Sequence, residues 1–308
     1  MRRMGLLFLL IVTVAVGTYV AYVYSIIYRG NSCFVKGDYD RAIEAYTKAF
    51  KLSPGRAKQY VKRGLAYREK GEIDPAIEDL TTAIELDPGD SRAYKERGVA
   101  YGKKEEYDLE IDDYTKAIEL DPQYAVAYFN RGIANARRRE HGRAIEDYTK
   151  AIELDPHYAK AHNNRGFVHF REQSFDQAIE DYAKAIELDP HYANAYNNRG
   201  LVYFEREQYD RAIEDYNKAI ELDPELAMAY NNRGVLYLRQ GNYDRAIEEY
   251  NKAIERDPEL AMAYYSLGLT HLDLGEINMA VPNLLTACGM GHKFACDKMI
   301  EIDDAGSP

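Results

Sequence analysis

Residues 193–224 read ANAYNNRGLVYFEREQYDRAIEDYNKAIELDP, and close variants of this stretch recur along the chain. Its closing proline, Pro224, belongs to a series: Pro54, Pro88, Pro122, Pro156, Pro190, Pro224 and Pro258, each 34 residues from the last. A fixed period of this length marks stacked helix–turn–helix units. With the proline at position 32, full units begin at Ala57, Ser91, Ala125, Ala159, Ala193, Ala227 and Ala261. Residues 28–56 form a partial first unit.

Each recurring residue has a physical reason. Positions 4, 7, 8 and 11 lie on one face at 100° per residue, so the first helix of a unit packs on the second through its aromatics. Position 4 is Tyr60, Tyr94, Tyr128, His162, Tyr196, Tyr230 and Tyr264. Tyr114, Tyr148, Tyr182, Tyr216 and Tyr250 answer from position 24. Gly at position 8 and Ala at position 20 let the two helices approach closely. Position 27 is alanine from Ala49 to Ala287. Asp-Pro ends the second helix, because a residue before proline avoids the helical region. The excess of tyrosine, 28 residues against no tryptophan, is therefore repeat core.

This pattern resembles the tetratricopeptide repeat family, over about residues 30–294. The resemblance implies an all-α fold: a right-handed superhelical solenoid of seven helix–turn–helix units at 57–90, 91–124, 125–158, 159–192, 193–226, 227–260 and 261–294. Residues 293–304 read as a closing cap helix and 305–308 as a tail. Some positions depart from the family. Glu110 stands where a small alanine is wanted, so its unit should be looser or repacked. Asn135 replaces a position-11 tyrosine, and position 7 is mostly Arg rather than Leu. Pro75 suits a first helical turn. Pro282 lies deeper and should kink or restart its helix.

Ahead of the repeats, and after a basic tail at residues 1–4, Gly5–Ile27 reads GLLFLLIVTVAVGTYVAYVYSII, 23 residues without a charge. As a helix it would be about 35 Å long, enough for one transmembrane anchor in the bilayer. Tyr19, Tyr22, Tyr24 and Tyr28 would meet the headgroups. A secretory signal cleaved after Ala15-Val16-Gly17 is the rival reading, but the apolar run continues past that point. Flanking charges nearly tie. The short basic N-terminus favours the solenoid on the non-cytoplasmic side, periplasmic in a bacterium.

Chemistry is not evident. No Walker loop, GxGxxG, HExxH, CxxC, CxxCH or GxSxG occurs, and nothing points to a cofactor, a metal or a catalytic residue. No segment outside repeats, anchor and cap is long enough for a catalytic domain, so an enzyme is not expected. His162 and His169 occupy positions where sister units carry Tyr, which makes them core rings. The carboxylates of Ala-Ile-Glu-Asp-Tyr read as solvent-facing. A formal charge of −11 argues against nucleic acid. Cys288 and Cys296 could pair in an oxidising space, but as small apolar residues in helix packing they need no bond.

What remains is surface. Positions 2, 5, 6, 9, 12 and 13 face away from the core, and in the family this face lines a concave peptide-binding groove. Asn163, Asn197 and Asn231 stand at position 5, and Asn130, Asn164, Asn198 and Asn232 at position 6. Phe167, Leu201 and Val235 follow at position 9, and Phe170, Phe204 and Leu238 at position 12. A carboxamide donates and accepts together, so a ladder of them could grip an extended backbone. Some asparagines could instead bridge neighbouring repeats. The family's terminal-carboxylate clamp is not expected: Lys95 sits at position 5 with Val99 where Asn is required. The expected function is a membrane-anchored scaffold binding extended segments of protein partners. The alternative is a self-associating structural element, a homo-oligomer without a peptide ligand.

Overall fold

The computed structural model describes the backbone of residues 2–306 and the side chains of residues 15–302. Two compact units, Met1–Asp155 and Pro156–Pro308, divide the chain. The first holds α1 (Arg2–Val35), α2 (Tyr39–Leu52), α3 (Ala57–Lys70), α4 (Ile73–Leu86), α5 (Ser91–Lys103), α6 (Tyr107–Leu120), α7 (Ala125–Arg137) and α8 (His141–Leu154). The second holds α9 (Ala159–Arg171), α10 (Phe175–Leu188), α11 (Ala193–Glu205), α12 (Tyr209–Leu222), α13 (Ala227–Arg239), α14 (Tyr243–Arg256), α15 (Ala261–Asp273), α16 (Ile277–Gly289) and α17 (Lys293–Gly306). Each unit is a stack of helical hairpins, and no strand occurs among the described residues.

Side chains 5–14 of the expected anchor lie outside the described residues. Among the described residues no helix is long and apolar enough to cross a membrane. The backbone of α1 runs without a break from Arg2 through that stretch to Val35, and its C-terminal part packs on α2.

The core follows the 34-residue pattern. Position-27 alanines, Ala49 to Ala287, are fully buried. A Cβ added at Gly98 would lie 2.8 Å from Tyr114 Cε1, and one at Gly234 would lie 2.6 Å from Tyr250 Cε1. These glycines are therefore what admit the tyrosine ring between the helices. The turn inside each hairpin needs a left-handed residue: Gly71 and Gly241 supply it freely, while Glu105, Arg139, Gln173 and Glu207 adopt it at φ near 60°. The turn between hairpins is held by its aspartate as well as its proline. Asp189 Oδ1 accepts from His191 N at 3.0 Å, and Asp223 Oδ1 from Glu225 N at 3.1 Å.

The arginines at position 7 have a structural purpose. Arg97 donates to both carboxylate oxygens of Asp113 at 2.8 and 2.9 Å, and reaches Thr81 of the preceding repeat at 3.0 Å. Arg63 does the same with Asp79 and Thr47, and Arg131 with Asp147 and Thr115. In the second unit Arg165, Arg199 and Arg233 pair with Asp181, Asp215 and Glu249. These acids are buried, which corrects the reading of the Ala-Ile-Glu-Asp-Tyr aspartates as solvent-facing; the preceding glutamates, Glu78 and Glu146 among them, do face solvent. The guanidinium also lies over the position-4 and position-11 rings, 5.7 and 5.8 Å for Arg199 on Tyr196 and Tyr203. Leu is replaced because a planar donor can satisfy a buried carboxylate and stack on tyrosines together.

Three departures resolve differently. Glu110 is accommodated, not merely tolerated: Gly102, at a position that carries Phe170 and Phe204 in two sister repeats, leaves the space its carboxylate fills. Burial raises the Glu110 pKa, against Arg137 at 3.9 Å and a hydrogen bond from Tyr114. The folded state thus holds this proton to higher pH than the unfolded chain, and the group costs stability as pH climbs through that window. Glu110→Gln is expected to raise the urea midpoint at neutral pH and to change it little below about pH 4, where the carboxyl is protonated in both states. An equal effect at both pH values would show that burial of the charge is not the cause. At Pro282 the helix neither ends nor restarts, and α16 continues to Gly289. Pro282 is an interior residue of this helix, and its missing N–H forgoes one backbone bond without ending the helix. Cys288 and Cys296 form a disulfide, with Cα atoms 4.8 Å apart, where packing alone was the simpler expectation. It joins α16 to α17, whose Ala295, Met299 and Ile302 cover Leu284 and Ala287.

Candidate peptide-binding groove

The expected groove residues lie in the second unit, on α9, α11 and α13, except Asn130, which belongs to α7 in the first unit. There Asn130 lines a cleft of about 320 Å³ with Glu110 and Arg137.

Five asparagines of the second unit form one hydrogen-bonded chain. Asn232 donates to Asn197 at 3.0 Å, Asn197 to Asn198 at 3.3 Å, Asn198 to Asn163 at 3.1 Å, and Asn163 to Asn164 at 3.2 Å. The bridging alternative therefore holds for these contacts. Position 5 is also not groove surface: Asn163, Asn197 and Asn231 are buried. Their i+1 neighbours Asn164, Asn198 and Asn232 are half-buried at the edge. Each carboxamide in the chain spends one N–H, one acceptor site, or one of each, and so keeps further donors and acceptors. Asn231 ends the row with its Oδ1 unbonded among the described residues, because the next repeat places Ser266 where an asparagine would donate.

The apolar row is likewise divided. Phe167 is 45% exposed. Leu201 and Val235 are half-buried. Phe170, Phe204 and Leu238 turn into the core instead: Phe170 packs on Ala178, Tyr182 and Val202, and Phe204 on Ala212, Tyr216 and Leu236. Position 12 thus contributes mainly to hairpin packing, because its ring reaches the start of the second helix, as in Phe204 against Tyr209 at 5.8 Å. Beneath this face Asp181 takes hydrogen bonds from Arg165 at 2.7 and 3.0 Å and meets His162 Nδ1 at 3.2 Å. Burial opposes this carboxylate, but His162 and Arg165 outweigh it and hold its pKa below the usual range. Burial lowers the His169 pKa. Both histidines serve the core, and no group of residues suited to a metal ion occurs among the described residues.

The family model described as TPR repeat matches residues 30–71, 64–105, 140–173, 170–205, 200–241 and 236–275. Those described as tetratricopeptide repeat match 91–124, 113–146 and 261–290. The chain belongs to the tetratricopeptide repeat family. Among solved structures, this repeat protein is similar to MamA, at 33% identity and a TM-score of 0.50, covering 54% of this chain and 96% of that one. It is similar to YrrB, described as a TPR protein with an unusual peptide-binding site, at 27% identity and a TM-score of 0.51, over 61% of this chain and 97% of that one. A tetratricopeptide repeat protein from Parabacteroides merdae shares the fold at 21% identity and a TM-score of 0.66, over 80% of this chain and 98% of its own.

The in-phase pairing of Arg at position 7 with an acid 16 residues later was the available sign of the buried ion pairs. The direction of the asparagine chain had no comparable sign, since it depends on which side chains of adjacent helices meet.

Proposed function

We propose that this chain is a membrane-anchored, non-enzymatic scaffold whose second unit binds extended segments of partner proteins. The observation that carries the reading is the asparagine chain beside the exposed Phe167: unspent carboxamide valences next to apolar surface suit a peptide backbone and its side chains. Asn164, Asn198 and Asn232 are the contact residues, with Phe167, Leu201 and Val235 as the apolar row. Asn163 and Asn197 brace them through the carboxamide chain, and Asn231 lies buried at its end. The likeness to YrrB, whose description includes a peptide-binding site, supports this.

The uncharged stretch 5–27 supports anchoring. The Cys288–Cys296 disulfide supports a solenoid in an oxidising, non-cytoplasmic space. The test of topology is Lys184→Cys, in a background lacking Cys33, labelled in intact cells with a membrane-impermeant maleimide. Labelling only after lysis would overturn that side, and recovery in the soluble fraction would overturn the anchor.

For the groove, Asn198→Ala with Asn232→Ala is expected to weaken a peptide selected against the wild-type chain by about 1 kcal/mol per residue. A melting curve run alongside separates lost contact from lost ladder, and an unchanged affinity would end the groove reading. Self-association is the second reading. It is favoured by Leu285, Phe294 and Ile300, all more than half exposed on α16 and α17. Light scattering without ligand decides it: mass that grows with concentration supports assembly.

A further inference from the structure

Six of the seven full repeats place a fully buried alanine at position 3: Ala93, Ala127, Ala161, Ala195, Ala229 and Ala263. The first places Gln59 there. It is 4% exposed, and neither its Oε1 nor its Nε2 has a hydrogen-bond partner among the described residues. A buried carboxamide without partners costs stability, so its place in this repeat calls for a reason.

Gln59 lines a cleft of about 490 Å³ formed by α1, α3 and the end of α4. Arg56, Lys58 and Lys62 line it too, and Tyr24 comes from α1. None of these three cations forms an ion pair among the described residues. Arg56 lies over the Tyr24 ring at 5.6 Å, and Lys62 donates to Asn31 at 3.0 Å. Burial, and then Arg92, lowers the Lys62 pKa, so its charge is poorly compensated. The cleft also holds the start of α3, where Arg56 provides no side-chain cap and the Ala57 and Lys58 amides are the first of the helix. Asp87 is the one acid lining it, and its Oδ1 accepts from Gly89 N at 3.3 Å. The surrounding chain has the same bias. Residues 28–63 contain nine Lys and Arg and three Asp and Glu, a net of six positive charges in a chain of formal charge −11.

Three uncompensated cations, a helix N-terminus and a carboxamide donor converge on one cleft, which is the donor set of an anion site. Its place selects the anion. Tyr24 stands three residues before the end of the uncharged stretch 5–27, so the cleft opens at headgroup level if that stretch spans the bilayer. We propose that this cleft binds the phosphate of an anionic lipid headgroup, with Lys58 and Lys62 as counter-charges, the α3 amides as donors, and the unpartnered Gln59 Nε2, closed off from solvent in the wall of the cleft, as a further donor when its side chain turns to the phosphate. The proposal rests on the anchoring reading above. The site would fix the first repeat on the membrane surface.

The test uses the full chain in nanodiscs of phosphatidylcholine, with or without phosphatidylglycerol. Amide exchange over residues 55–62 is followed by mass spectrometry, and co-elution with the disc reads anchoring separately. Phosphatidylglycerol is expected to slow exchange at the start of α3 about tenfold, the protection one charge-assisted hydrogen bond provides. Lys58→Glu, a change at an exposed residue, should abolish the protection. Gln59→Leu should abolish or sharply reduce it while raising the melting temperature, since an unpartnered amide is removed. Co-elution without protection by phosphatidylglycerol overturns the headgroup site and leaves the anchor standing. Failure to co-elute overturns both. Equal protection by inorganic phosphate in phosphatidylcholine discs overturns the lipid source. Protection that survives both substitutions assigns it to the membrane surface at large and overturns the cleft.

Discussion

Arg199→Ala is expected to destabilise the second unit by about 3–5 kcal/mol, the range for removing one partner of a buried ion pair. Asp215 is 6% exposed and receives two hydrogen bonds from Arg199, both 2.8 Å. The hydrogen bond to Asp215 outweighs burial and raises the Arg199 pKa, so the guanidinium stays charged throughout the folded range. Without it the carboxylate remains buried with no counter-charge, and Tyr196 and Tyr203 lose the cation between them. The single variant does not measure the worth of the pair, because most of its cost is the stranded carboxylate. Arg199→Met with Asp215→Leu removes both charges, and should recover most of the loss or exceed wild type. Urea unfolding of both variants, with amide exchange to locate the change, is the measurement. A single-variant cost below about 1 kcal/mol would mean that water already reaches Asp215.

Tyr216 should respond in opposite directions to two substitutions. It is fully buried, packed on Ala212 and Leu236, and its ring takes the space opened by Gly200, where a Cβ would lie 2.8 Å from Cε1. Tyr216→Ala removes that ring from the centre of a hairpin and is expected to cost about 3–5 kcal/mol. Tyr216→Phe keeps the ring and removes a hydroxyl that has no hydrogen-bond partner among the described residues. It should leave the thermal midpoint unchanged or raise stability by up to about 1 kcal/mol. Burial is the main cause of the raised Tyr216 pKa, so the hydroxyl stays neutral and no alkaline titration confuses the comparison. A loss on Tyr216→Phe would reveal a water-mediated bond to the hydroxyl.

Adjacent repeats contribute unequal surfaces, although their sequences are nearly the same. The second unit presents carboxamides and Phe167. The first has Glu110 with Arg137 in one cleft and Gln59 with three cations in another. Two substitutions that break the repeat pattern, Glu110 and Gln59 for alanine, place polar groups in positions that sister repeats fill with buried alanine. Periodicity marks Glu110 as an exception; Gln59 breaks the pattern at position 3 in the same way, and its meaning depends on the cleft around it.

The all-α hairpin repeat, its 34-residue period, the close helix approach at Gly and Ala, and the helix ends at Asp-Pro are legible in the sequence alone. These are local or strictly periodic features: helical spacing, backbone limits before proline, and the room a glycine leaves. Which polar side chains meet depends on how the helices pack. Arg199 finds Asp215 16 residues away, and Asn232 finds Asn197 35 residues away, because adjacent helices bring them within hydrogen-bond distance. The Cys288–Cys296 bond depends in the same way on how α17 returns over α16. Apolar burial tolerates many partners and so can be read from a pattern, whereas a buried donor needs one acceptor at one distance and angle.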